Sequence, residues 1–128
     1  MFMQDKYDIT DAELEIMQVL WEYGQCDLNT ILDKLNRKSD KNKNTIKTLL
    51  RRLMLKGSVE SKKMGLKDTV YVPKVKKEKF LANENEHFLE KLYNGKMGNL
   101  LLNFVENKKV TKEERQRLID ILESEEDI

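Results

Sequence analysis

The sequence predicts a mainly α chain: a winged helix-turn-helix unit over residues 1–76, then a three-helix unit over residues 77–128. Three observations predict it. Apolar residues recur at helical spacing in three segments before Gly57. The period then switches to alternation between Val59 and Val72. Helical spacing returns after Pro73, the single proline. Helix, short helix, turn, basic helix and hairpin, in that order, is the plan of a winged helix; each part alone is a weak signal.

Thr10-Asp-Ala-Glu13 has capping-box spacing, in which hydroxyl and carboxylate satisfy each other's backbone donors. It opens a helix with Leu14, Met17, Leu20 and Trp21 inward and an end near Gly24. Asp27 is placed to cap a short helix bearing Leu28, Ile31, Leu32 and Leu35. A polar stretch, Asn36 to Lys41, leads to a third helix, capped by Asn42 and stopped by Gly57. Val59 then alternates with charged neighbours through Lys63. Met64-Gly-Leu-Lys-Asp68 carries turn chemistry, and Val70 and Val72 alternate again. This is a two-stranded hairpin with Lys62, Lys63 and Lys67 about its tip.

The third helix is the element the chain is organised around. Ile46, Leu49, Leu50 and Leu53 fall on one side. Asn44, Lys47, Thr48 and Arg51 fall on the other, with Thr45 and Arg52 on the flank. The outward face has no acid. Its amide, hydroxyl, ammonium and guanidinium groups are those that reach base edges and phosphates in a DNA major groove. Lys43, Arg52, Lys62, Lys63 and Lys67 are placed to meet phosphates.

Charge distribution agrees. The 128-residue chain has a net charge of only +1. Residues 41–79, however, carry 13 Lys and Arg against three acids, while residues 1–40 sum to −5 and residues 80–128 to −4. A basic middle between acidic flanks is the footprint of a phosphate-binding face.

After the lysine-rich Lys74–Lys79 stretch come three more helices. Phe80, Leu81, Phe88, Leu89, Leu92 and Tyr93 form one stripe, ended by Asn94-Gly95. Met97 to Val105 is apolar on most sides. Thr111-Lys-Glu-Glu114 is a second capping box, opening a helix with Leu118, Ile119, Ile121 and Leu122. Three short helices bury little surface alone, and a helix apolar on most sides has to be enclosed. The economical expectation is that two copies interlock through Phe80, Phe88, Leu92, Leu101, Leu102, Phe104, Val105, Leu118, Ile119 and Leu122. The alternative is that they fold back on the first unit. A two-fold dimer presents two such helices to successive major grooves.

Enzyme chemistry finds no footing. One histidine, His87, and one cysteine, Cys26, do not make a zinc site, and no motif supports them as a nucleophile and base. No Gly-rich phosphate loop of Walker or Rossmann spacing occurs. The acids Glu13 and Glu15 read as helix-dipole partners. No cofactor and no metal are expected. One cysteine, no signal peptide and no apolar run of about 18–20 residues point to a cytoplasmic protein without membrane binding.

Several stretches resemble the penicillinase and methicillin-resistance repressors (BlaI/MecI, within the BlaI/MecI/CopY group). Ile9-Thr-Asp-Ala-Glu13 through Met17, Val19 and Leu20-Trp21 is similar to that family's opening helix. Thr45-Ile-Lys-Thr48, Leu50, Arg52-Leu53 and Lys56-Gly57 resemble its recognition helix, and Val70-Tyr-Val-Pro73 the closing strand of its wing. Phe88-Leu89, Tyr93-Asn-Gly95, Leu102-Asn-Phe104 and Glu106-Asn107 resemble its C-terminal part. The resemblance covers nearly the whole chain. It implies a homodimeric repressor on palindromic operators of β-lactam resistance genes. It also implies relief by a membrane sensor-transducer protease, or by a protease it activates, cutting at the bond matching Asn103–Phe104.

Two departures stand out. The family usually carries Trp and often Pro just before the recognition Thr, where this chain has Lys41 and Lys43; added lysines are expected to favour phosphate binding. The chain also lacks the C-terminal cysteine cluster of the copper-responsive branch, so metal induction is not expected. Two other readings compete: a ligand-gated winged-helix regulator and a winged-helix protein-interaction module. Steep salt dependence on DNA separates the second from a DNA binder.

Overall fold

The computed structural model describes residues 7–36, 41–65 and 68–124. Its elements run α1 (Asp11–Tyr23), β1 (Cys26–Asp27), α2 (Leu28–Leu35), α3 (Lys43–Leu55), β2 (Val59–Met64), β3 (Asp68–Pro73), α4 (Lys77–Tyr93), α5 (Met97–Glu106) and α6 (Lys112–Ser124). The chain divides into two compact units, with the boundary in sequence between Glu84 and Asn85.

In the first unit, local chemistry sets the helix ends. The Glu13 N–H donates to Thr10 Oγ1 at 3.2 Å, and the Thr10 N–H donates to Glu13 Oε1 at 2.9 Å, so the capping box forms as expected. Asp27 accepts from the Thr30 N–H and Asn42 from the Thr45 N–H, both at 2.8 Å. The end of α3 closes through Ser58 N–H to Leu53 O and Gly57 N–H to Met54 O, a paired stop that needs a left-handed residue between. Gly57 supplies it at φ +77°.

The three helices pack Ile16, Met17, Leu20, Ile31, Leu35, Ile46, Leu50 and Leu53 into one core, all nearly solvent-free. Val59 and Cys26 extend it to the sheet. That sheet is antiparallel with strand order β1-β3-β2. The hairpin register runs from Val59 opposite Pro73 to Met64 opposite Asp68. The third strand, β1, was not expected. It pairs Cys26 with Tyr71 and Asp27 with Val70, tying the wing to the α1–α2 connection.

Phe80 also belongs to this unit. It is 5% exposed, with ring centroids 5.4 Å from Trp21 and 6.0 Å from Tyr7. Trp21 further donates its indole N–H to Val75 O at 2.8 Å, fastening the chain just after the wing. Asn83, one turn along α4, is buried as well.

The second unit holds the rest of α4 with α5 and α6. Capping-box bonds form between Thr111 and Glu114 at 2.9 and 3.1 Å. No residue of α5 or α6 is buried. Leu92, Leu102, Val105, Ile121 and Leu122 are about half exposed. Among the described residues, no helix is long and apolar enough to cross a membrane.

Candidate nucleic-acid interface

The core face of α3 is fully used: Ile46, Leu49, Leu50 and Leu53 are all buried. Because these four face inward, the helix period turns Lys43, Asn44, Thr45, Lys47, Thr48, Arg51 and Arg52 out, and all seven are exposed. Among the described residues, no carboxylate pairs with Lys43, Lys47, Arg51 or Arg52. The hydroxyl of Thr48 donates back to Asn44 O at 3.1 Å, which leaves its oxygen free to accept. The face therefore offers two guanidinium groups and two ammonium groups, all solvated, on a helix whose apolar side is buried. Such a surface suits bases and phosphates.

On the wing, alternation separates the two described lysines. Val59, Ser61 and Lys63 share a face of β2, opposite Pro73, Tyr71 and Thr69 on β3. Lys62 lies on the other face with Glu60, opposite Val70 and Val72. Lys62 and Lys63 are both exposed and point away from each other, so the wing carries a cation on each side. Lys67 lies outside the described residues. Glu60 is bonded to Lys74 at 3.0 Å, and that ammonium holds its carboxyl below the usual range.

Three readings of the sequence change. Lys41, expected among phosphate-binding lysines, has its ammonium 2.7 Å from Glu15 Oε1, with its side chain only 17% exposed. Glu13 is more than a helix-dipole partner. Its carboxylate is completely enclosed and receives Lys56 Nζ at 2.6 Å. Burial pushes the Glu13 carboxyl up, but bonds from Lys56 and Thr10 outweigh this and hold it below its ordinary value. Nothing near Glu13 in sequence signals this, since Lys56 is 43 positions away. Phe80, finally, is enclosed by its own chain and leaves the set of candidate dimer contacts.

The remaining C-terminal residues are accessible. Phe88, Leu92, Leu102, Phe104, Val105, Ile119 and Leu122 are exposed, and Leu101 and Leu118 are half-buried. Asn103 and Phe104 lie inside α5. The Asn103 carbonyl accepts both the backbone N–H of Asn107 at 3.1 Å and its side-chain amide at 2.8 Å. The helix ends through Lys108 N–H to Val105 O and Lys109 N–H to Phe104 O. Lys108 takes the left-handed position at φ +56° that glycine ordinarily fills. Phe104 also lines an open groove with Val110, Leu118 and Ile121, rimmed by Glu114 and Arg117.

The Cys26 thiol is buried and donates to Gly24 O at 3.2 Å. Burial, with the Asp27 carboxylate, pushes it up, the opposite of an activated nucleophile.

The penicillinase repressor family profile matches residues 9–124. The penicillinase repressor of Bacillus licheniformis is 36% identical over 115 residues, 90% of this chain and 89% of that protein. The methicillin resistance regulatory protein MecI of Staphylococcus aureus is 32% identical over 116 residues, covering 91% and 94%. Among solved structures, the DNA-binding domain of the repressor BlaI matches with a TM-score of 0.52 at 34% identity, covering 60% of this chain and 93% of that one. The monomeric form of Bacillus licheniformis BlaI in complex with the blaP half-operator matches at 0.50 and 32%, covering 61% and 90%.

Proposed function

This chain belongs to the penicillinase repressor family, and on that premise we propose that it is a homodimeric transcriptional repressor of β-lactam resistance genes. It binds palindromic operator DNA through α3 and the wing. Cleavage of Asn103–Phe104, by a membrane sensor-transducer protease or one it activates, relieves repression in the cytoplasm.

One observation carries the reading: the outward face of α3 is acid-free, and its cations have no partner among the described residues. Asn44, Thr45, Lys47, Thr48 and Arg51 enter the groove. Lys43, Arg52, Lys62, Lys63 and Lys67 serve phosphates. Half-exposed Leu, Phe and Ile side chains on α5 and α6 support a second copy as their cover, because apolar stripes of this kind are rarely left to water. Dimerisation couples two half-sites, so loss of the clasp forfeits that coupling.

Mobility shift of the full chain on its own promoter, against a scrambled duplex, tests the reading. A dimer making about 6–10 phosphate contacts loses about 10³–10⁵ in affinity between about 50 and 200 mM salt. Salt-indifferent binding, or none to either duplex, overturns it.

The groove beside Phe104 favours a second reading, a ligand-gated regulator, since it is concave and apolar with a few polar groups at its rim. Thermal shift with a β-lactam decides: stabilisation at ligand excess supports direct gating, and none leaves the protease route.

A further inference from the structure

We infer that Glu13 and Glu15 of α1 are positioning residues that hold the two ends of α3, and that Lys41 belongs to this brace and not to the phosphate contacts. The inference rests on the DNA-binding reading of α3 and goes beyond it in assigning how the helix is aimed.

The two ion pairs fall at opposite ends of one helix. Lys41 stands immediately before the N-cap Asn42, and Lys56 is the C-cap residue. Lys41 Nζ lies 2.7 Å from Glu15 Oε1, and Lys56 Nζ lies 2.6 Å from Glu13 Oε1. Glu13 and Glu15, two residues apart on α1, leave that helix about 200° apart at 100° per residue, so they reach in different directions. Between the pairs runs a 13-residue helix, about 20 Å long.

Apolar packing alone does not fix such a helix. Ile46, Leu49, Leu50 and Leu53 supply the burial, but hydrophobic contact is non-directional. It resists removal of α3 more than rotation or sliding along its groove. Charge-assisted hydrogen bonds are directional and short. One at each end opposes both motions.

Carboxylate partners sort the basic residues of this region into two sets. Lys41 and Lys56 have side chains 17% and 25% exposed and end on glutamates of the same chain. Lys43, Lys47, Arg51 and Arg52 are exposed and end in solvent. Only the second set is available to DNA. A base contact depends on hydrogen-bond distance and angle, whereas a phosphate contact made by a long flexible side chain tolerates small displacements. The brace therefore governs discrimination between sequences more than attraction to DNA in general.

Glu15→Gln separates the possibilities by sign, because a carboxylate does not itself bind phosphate. Affinities are measured for the full chain on an operator duplex selected from a randomised pool and on a scrambled duplex, over a range of salt. With the brace, Glu15→Gln weakens operator binding about fivefold, as expected for loss of a partly exposed pair. Scrambled-duplex binding and the salt slope stay unchanged. Lys41→Met reproduces this loss and Lys41→Arg restores it. If Lys41 is instead a phosphate ligand, Glu15→Gln frees it and strengthens binding to both duplexes. Lys41→Met then weakens both equally and flattens the slope by about one charge. That result, or no change in either variant, overturns the inference while the DNA-binding reading stands. Failure of the wild-type chain to bind either duplex sinks both.

Discussion

Phe80→Ala tests where the first unit ends. It removes a ring that is 5% exposed and lies against Trp21 and Tyr7, with centroids 5.4 and 6.0 Å away. Truncating a buried Phe costs about 3–5 kcal/mol, and aromatic pairs add about 0.5–1.5 kcal/mol beyond burial. Against a typical domain stability of about 5–15 kcal/mol, such a loss leaves the first unit marginal. Trp21 is the single tryptophan and touches the mutated side chain, so its fluorescence reports this unit selectively. In urea, the midpoint read by Trp21 falls well below that of wild type with the slope preserved. Sedimentation across a dilution series reads self-association separately. If the stability read at Trp21, midpoint shift times slope, falls by less than about 1 kcal/mol while self-association weakens, Phe80 is an intersubunit contact and its place in the first unit is refuted.

Other outcomes follow from the same geometry. Arg51→Ala relaxes operator preference by about 1–3 kcal/mol; equal losses on operator and scrambled duplex would remove Arg51 from the groove. Glu13 has a lowered carboxyl pKa, so its stabilisation is present above the unfolded value of about 4.3 and disappears as pH drops through the folded one. Glu13→Gln therefore costs about 1.5–3 kcal/mol at neutral pH, and urea titrations at neutral and strongly acid pH find the gap to wild type closing on the acid side. Lys108→Gly relieves a left-handed lysine and tightens the end of α5 by about 1 kcal/mol. Thermolysin cutting before Phe104, followed by mass spectrometry, slows about fivefold if that turn has to open first; an unchanged rate means that opening does not limit the cut.

What the sequence revealed was chiefly local. Thr10, Asp27, Asn42 and Gly57 each act within about four residues of their place, and each lies where the spacing put it. The outward face of α3 was legible for the same reason: a 3.6-residue period fixes opposite faces once one is apolar. What escaped depends on distant partners. Strand β1 is only two residues long and exists because Tyr71 and Val70 lie beside it. Burial of Glu13 requires Lys56 to arrive from the far end of α3. Phe80 shares its apolar stripe with Phe88 and Leu92, and periodicity does not say that the first packs with Trp21 while the others stay exposed. Lys41 looked like its solvated neighbour Lys43, and only the position of Glu15 distinguishes them.

The bond Asn103–Phe104 sits seven residues into α5, counted from Met97. Severed there, the retained stub is far shorter than the 12–15 residues or so at which an isolated helix becomes even marginal in water. It unravels and strips Met97, Leu100, Leu101 and Leu102 of their backbone order. Greasy frayed ends are what quality-control proteases consume. A switch thrown by the proposed cut would not reset: silence would return only as ribosomes replace the spent molecules, at the pace of new synthesis.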